Sequence, residues 1–249
     1  MTLHYGFDSL PEMLRTVVTV GSFDGVHAGH RVLLERLVAM ARRLSAESVV
    51  VTFDPHPRIA MGRAERLTLL TSIEERALLL ERYGVDRVIV AHFDEAFRRQ
   101  PYEQFVRESL IERAGMVGMV VGYNHRFGQG SEGNYERLLP LGELLGFAVE
   151  RVEQFTEHGA KVSSTVVRNL FECGDMVRAS EIMGHGYIVA GEVQQGVLCV
   201  NNSYKLLPAN GCYRALVNER EMQVCVENRS ITMCEDVSGG VVIEFLGAE

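Results

Sequence analysis

Val18-Thr19-Val20-Gly21-Ser22-Phe23-Asp24-Gly25-Val26-His27-Ala28-Gly29-His30, continued by Arg31-Val32-Leu33-Leu34-Glu35, is the stretch that decides the fold. Val17, Val18 and Val20 make the β-branched apolar run of a strand covered on both faces. Gly21 and Gly25 punctuate a turn where a Cβ would obstruct the backbone. From Gly29 onward Val32, Leu33, Leu37, Met40 and Leu44 recur at helical spacing. The order strand, turn, helix sets a helix N-terminus at the carboxyl end of a buried strand. Its free N–H groups and its dipole point at the same spot, which suits an anion. His27 and His30 lie on that first turn, three residues apart.

Outward from this stretch, residues 1–15 carry little signal beyond a leader into the first strand. Ser48–Phe53 is a second buried strand, stopped by Asp54-Pro55-His56-Pro57, where two prolines forbid continuation. Residues 58–71 are expected to be loop. Ser72, with Glu75 three positions on, forms a capping-box pattern for a helix through Tyr83, ended by Gly84. Arg87–Ala91 gives a third strand, and Pro101 opens a helix over Tyr102–Arg113. Met116–Val121 and Phe147–Val152 are further strands, flanking a helix over Asn134–Leu145 that stops at Gly146. Ser163–Cys173 and Asp175–Met183 are two more helices. This alternation predicts an α/β fold with a mostly parallel sheet covered on both sides. Ligands of such sheets bind at the carboxyl ends of the strands, where the strand order reverses.

Past Gly184 the texture changes. Tyr187–Val193, Val197–Val200, Tyr204–Leu206, Cys212–Val217, Met222–Val226, Ile231–Cys234 and Val241–Phe245 are short apolar or alternating runs. Asn210-Gly211, Asn228-Arg229 and Ser238-Gly239-Gly240 separate some of them, which predicts a small antiparallel sheet or barrel. Two domains follow, 1–185 and 186–249.

The chain has 249 residues, 47% hydrophobic and 23% charged, ordinary for a soluble globular protein. Its net charge of −8 argues against broad nucleic-acid binding, which draws its affinity from a basic surface. A single nucleotide held by a local His and Arg cluster is compatible with that charge. The N-terminus has no basic segment followed by an apolar core, and no apolar run reaches membrane-spanning length. The five cysteines include no C-x-x-C pair, so free buried thiols in a reducing cytosol are expected, and with them a cytoplasmic location.

A His-x-x-His pair is also a metal half-site, but metal binding wants further ligands, and no second cluster stands in a suitable place. Two imidazoles at a helix start can instead donate to phosphate oxygens as their charge grows. Ser163, Ser164 and Thr165 head a helix, where hydroxyls cap the backbone or reach a phosphate, and Arg168 one turn on can offer a guanidinium to the same anion. Gly122–Gly133, with Asn124 and Arg126 between glycines, is a connector or a loop that closes over phosphate or base. Pro55-His56-Pro57 is a rigid turn that could set His56 and Phe53 against a flat ring, and Lys161 is a surface charge or a pyrophosphate contact.

Gly21-x-Phe23-Asp24-Gly25-x-His27-x-Gly29-His30 resembles the His-x-Gly-His signature of adenylyl- and cytidylyltransferases, in the fuller form of the bacterial FAD synthetases, bifunctional riboflavin kinase/FMN adenylyltransferases. Thr52–Pro57, Val121–Gly130 with Gly133, and Ser163–Arg168 are similar to that family's other motifs, in order and spacing. The resemblance implies a Rossmann-like nucleotidyltransferase domain followed by a riboflavin-kinase barrel. It implies ATP and FMN as substrates, Mg²⁺ as charge partner without a nameable protein ligand, and FAD as product. His27, His30 and Arg168 would be catalytic. Gly21, Phe23, Asp24, Gly25, Gly29, Phe53, His56, Asn124, Arg126, Ser163, Ser164 and Thr165 would bind the substrates, Asn124 orienting the FMN phosphate.

The second domain departs from the family. Ala190–Val193 and Leu207–Tyr213 resemble two of its strands, but only Gln194–Lys205 runs between them. The Pro-Thr-Ala-Asn motif for MgATP is missing, and no closing helix follows the last strand. A reduced barrel without kinase activity is expected. The rival expectations are an adenylyltransferase for another small phosphate, and a non-catalytic flavin- or nucleotide-binding homologue.

Overall fold

In the computed structural model, residues 1–62, 65, 67–157 and 160–248 are described, the side chains of 157, 160, 161, 247 and 248 excepted. The chain divides into two compact units: Met1–Phe23, Gly29–Glu65 and Ala77–Phe155 form one, and Asp24–Ala28, Arg66–Arg76 and Thr156–Glu249 the other. The helices after Ser163, expected within 1–185, thus pack in the unit that holds the chain's last strands.

The first unit is built on a parallel sheet of six strands: β1 (Thr2–Tyr5), β2 (Thr16–Val20), β3 (Glu47–Asp54), β4 (Arg87–His92), β5 (Met116–Gly122) and β6 (Ala148–Val152). Their spatial order is β1-β4-β3-β2-β5-β6, so the order reverses between β2 and β5. Every residue of β2 is buried, as its valine run requires. The helices up to β6 are α1 (Ala28–Arg43), the short α2 (Pro57–Ala60), α3 (Ile73–Arg82), α4 (Glu95–Arg99), α5 (Tyr102–Gln104) and α6 (Tyr135–Leu145).

Local signals are realised closely. The Ser72 N–H donates to Glu75 Oε2 at 2.7 Å and Glu75 N–H donates to Ser72 Oγ at 3.2 Å, a complete capping box. Asn134 caps α6 and Gly146 ends it at φ 79°. Three expectations fail. Residues 1–15 contain β1, an edge strand paired with β4. Residues 58–71 contain the end of α2, whose cap is His56: its Nδ1 accepts from the Arg58 N–H at 3.2 Å. The helix expected over Tyr102–Arg113 widens after α5 into a π-helix, Phe105–Arg113, which buries Phe105, Val106, Ser109 and Leu110.

In the second unit, β7 (Thr156–Glu157) and β8 (Ala160–Lys161) form a short hairpin ahead of α7 (Ser164–Glu172) and α8 (Met176–Met183). Then β9 (Tyr187–Gln194), β10 (Val197–Cys199), β11 (Gly211–Val217), β12 (Arg220–Glu227), β13 (Ser230–Met233) and β14 (Gly239–Ala248) close into an antiparallel barrel. Three of its connections are two-residue turns with both residues at positive φ: Gln195-Gly196, Asn218-Glu219 and Asn228-Arg229. Tyr204–Leu206 is not a strand; it makes a single parallel bridge, Leu69 to Lys205. The thiols also differ from expectation. The Asn218-Glu219 turn sets a register that puts Cys212 opposite Cys225, and the two form a disulfide with Cα atoms 4.1 Å apart. Cys173, Cys199 and Cys234 are exposed rather than buried. Among the described residues no helix is long and apolar enough to cross a membrane.

Candidate active site

The carboxyl ends of β2, β3, β4 and β5 surround a cleft of about 540 Å³ at the reversal of strand order. Val20, Gly21 and Ser22 form its floor at the end of β2. One wall is aromatic: Phe53, Phe93 and Phe97 meet with ring centroids 5.4 to 5.7 Å apart, Phe97 packs on Phe105 at 5.4 Å, and Phe105 on Phe127 at 6.0 Å. Polar groups enter from His56, Arg98, Gln100, His125 and Arg126. The cleft is therefore shaped for a flat, mostly apolar ring system with a few polar edges.

Of the predicted substrate-binding residues, Gly21, Phe53, His56 and Arg126 line this cleft. Phe23 and His30 lie in the same unit with their rings 4.9 Å apart, and Gly29 opens the unit's part of α1. Asn124 is exposed and is not among the lining groups. The side chain of Lys161 lies outside the described residues. Phe93, Phe97 and His125 went unpredicted. Aromatic residues four apart, just after a parallel strand, were the signal for the first two. The His125 ring stacks on Phe127 at 5.4 Å, and burial lowers its pKa to about 4.

The other predicted residues gather in the second unit, around Asp24, which is 1% exposed. Its carboxylate accepts from the Leu70 and Thr71 amides at 3.1 and 2.9 Å, from Thr71 Oγ1 at 3.1 Å and from Arg168 Nη2 at 2.5 Å. Arg76 stands 3.9 Å away. Burial alone would raise this carboxyl's pKa, but Arg76, Arg168 and the two amides outweigh it and hold the pKa below the usual value. Arg168 Nε donates to Thr68 O at 2.5 Å. Arg168, expected to offer its guanidinium to a phosphate, thus serves the protein itself. Ser163 caps α7 by accepting from Val166 N–H at 3.4 Å, Ser164 Oγ donates to Asp24 O at 2.8 Å, and Thr165 is exposed. Gly25 is confined: its N–H donates to Thr71 Oγ1 at 3.1 Å, and an added Cβ would meet Leu70 Cδ1 at 2.6 Å.

His27 is 6% exposed, immediately ahead of α1. Burial depresses its pKa to about 4 against the opposing pull of a backbone hydrogen bond and Asp24, so the ring is neutral at pH 7. The consequence for stability has a definite sign. Between the unfolded value of 6.5 and the folded value of about 4 the unfolded chain binds more protons. Stability from His27 and His125 is complete above pH 6.5 and drains away as the pH falls towards 4. At pH 4.5 the loss is about 2–3 kcal/mol for each ring. Urea unfolding at pH 7.5 and 4.5 measures it; equal stability at both would contradict the two burials. Among the described residues no group of three or more His, Cys, Asp or Glu side chains could hold a metal ion.

Comparison with known proteins gives the family. A family model described as FAD synthetase matches residues 10–166. The chain is 32% identical over 180 residues to the bifunctional riboflavin kinase/FMN adenylyltransferase of Escherichia coli, covering 72% of this chain and 58% of that one. It is 34% identical to the protein of the same description from Pseudomonas fluorescens, covering 79% and 63%. It is 29% identical to a Listeria monocytogenes protein named FAD synthetase, covering 84% and 86%. The chain thus spans less than two thirds of the bifunctional relatives and most of the shorter one. A crystal structure described as a macrolide-efflux protein from Streptococcus pneumoniae matches with TM-score 0.82 over 99% of this chain and 90% of that one. At 20% identity that likeness speaks for the fold alone.

Proposed function

The chain belongs to the FAD synthetase family, and on that premise we propose that it is an FMN adenylyltransferase, converting ATP and FMN to FAD and pyrophosphate. An FMN phosphate oxygen attacks the α-phosphorus of ATP. A new P–O–P bond forms, the bond from the α-phosphorus to the bridging oxygen breaks, and pyrophosphate leaves. The observation that carries this reading is the passage from β2 into α1, with His27 immediately ahead of the helix and His30 on its first turn, in a chain whose β2 end floors an aromatic cleft.

The helix N-terminus and the two imidazoles stabilise charge developing on the transferred phosphoryl group. Phe53 and its neighbours receive the flavin ring, with His56 and Arg126 at its polar edge and Asn124 towards its phosphate. The backbone of Gly21 to Gly25 packs against the nucleotide. In the Ser163–Thr165 run the exposed Thr165 hydroxyl is the one offered to the triphosphate, since Ser163 and Ser164 already hold α7 and Asp24. Arg168 acts through Asp24 as a positioning residue. Mg²⁺ bound with ATP would offset the negative charge of the phosphates.

Riboflavin kinase activity is proposed to be absent. A kinase must cradle a triphosphate in a loop, and three of the barrel connections here are turns of two residues. The test is one preparation in two assays. ATP, FMN and Mg²⁺ should give FAD and pyrophosphate, whereas ATP, riboflavin and Mg²⁺ should give no FMN. Flavin binding without pyrophosphate would favour the non-catalytic reading, and riboflavin phosphorylation would refute the loss of the kinase.

A further inference from the structure

The turn that leads into His27 holds an uncomfortable backbone. Phe23 has φ 47°, Gly25 φ 80° and Val26 φ 38°. Positive φ is rare for a bulky residue and rarer still for a β-branched one. Such conformations persist only where the surroundings over-determine them. The bonds that hold Asp24 and Gly25, next to Val26, come from the barrel's own unit.

Residues 24 and 25 are gripped at both peptide carbonyls, one N–H and a side chain. Asp24 O accepts from Ser164 Oγ, and Gly25 O lies 3.0 Å from His185 Nε2. The His185 Nδ1 atom is 2.8 Å from Gly186 O, just before β9. The Asp24 carboxylate and the Gly25 N–H are held by Leu70 and Thr71. That segment is itself fastened to the barrel. Leu69 exchanges backbone bonds with Tyr204 and Leu206 at 2.6 and 2.8 Å. The buried ammonium of Lys205 donates to Leu70 O at 2.7 Å and to Ile188 O of β9 at 2.9 Å, and pairs with Glu75 Oε2 at 2.7 Å. Glu75 Oε1 accepts from Ala190 N–H of β9 at 2.9 Å. Tyr187 lies beneath the ammonium at 4.3 Å and donates its hydroxyl to Leu206 O at 2.6 Å.

All three ammonium protons and both carboxylate oxygens therefore have partners, which is what a buried pair needs to be tolerated. An apolar pair would fill the same space at no electrostatic cost. The charged pair does something an apolar one cannot: it fixes the heights of two backbone segments, 69–71 and 188–190, against each other.

We infer that the barrel serves as a template for the His27 turn, with Lys205, Glu75 and His185 as positioning residues that hold Asp24 to Ala28 in its strained conformation. Its catalytic consequence rests on the adenylyltransferase reading; its structural consequence does not.

The test uses the full chain and two variants. Glu75→Gln with Lys205→Met removes both charges together, so that none is stranded, and leaves a side chain able to cap α3. His185→Ala removes only the half-buried ring on Gly25 O. Each is followed by the NMR titration of the His27 ring and by hydrogen exchange of the Gly25 amide, both without substrate, and then by kcat and KM. In the double variant the His27 midpoint should climb from about 4 towards 6.5, and in both variants Gly25 exchange should quicken. Misplacing a donor by a fraction of an ångström should lower kcat about tenfold or more, with KM for FMN nearly constant. Folded variants with unchanged His27 titration, Gly25 exchange and kcat would overturn the inference. If the double variant does not fold, His185→Ala decides by Gly25 exchange and kcat. Should the wild-type chain make no FAD, the functional reading fails, while titration and exchange still decide the template.

Discussion

Replacing His27 with alanine is expected to slow FAD formation at least a hundredfold while the chain stays folded at pH 7. Removing one well-aimed donor to a developing oxyanion costs roughly 3 kcal/mol of barrier, and each 1.4 kcal/mol is a factor of ten. The low exposure of His27 puts it in the regime where such a donor is worth most. Its ring is neutral at neutral pH, so one ring nitrogen carries a proton and can donate without the cost of burying a cation. Because the effect lies in the transition state, kcat should fall and KM for FMN should barely move. Steady-state kinetics of the variant, with circular dichroism to confirm the fold, checks this. A kcat within a few-fold of wild type would show that the ring is a packing residue.

How much of this was legible from residue order depends on the distance over which each signal acts. The β2-to-α1 passage, the capping box at Ser72 and Glu75, and the Asn134 and Gly146 ends of α6 all express preferences of a few neighbouring residues. β1 escaped because four residues at a sheet edge gain their structure only by pairing with β4, far along the chain. The disulfide was within reach: once Asn218-Glu219 is read as a two-residue turn, counting outward along the strands brings Cys212 opposite Cys225. The partners of Asp24 and Glu75 were not. Arg168 lies 144 residues from Asp24, and no local rule says which buried charge meets which. Chemistry-bearing residue types were therefore visible before their roles were. Asp24 and Arg168 matched a nucleotide motif, yet the bonds they make are mainly to each other and to backbone.

That difference sets up the second large effect. Arg168→Leu is expected to lower the unfolding free energy by about 3–5 kcal/mol, because it strands a buried carboxylate. The surviving bonds from Leu70, Thr71 and the more distant Arg76 favour the lower end of that range. For a chain of this size the melting temperature should drop by roughly 10 °C. Adding Asp24→Asn to Arg168→Leu should return part of the loss, since the stranded charge is gone while the one remaining side-chain oxygen can still accept from one of the two amides, which bond different oxygens of Asp24. Thermal and urea unfolding of the single and double variants measure this coupling without any substrate present. A guanidinium whose work is to grip a triphosphate predicts something else: unchanged stability, no rescue by Asp24→Asn, and a raised KM for ATP. The bonds from Arg168 to Asp24 and to Thr68 O favour the first outcome.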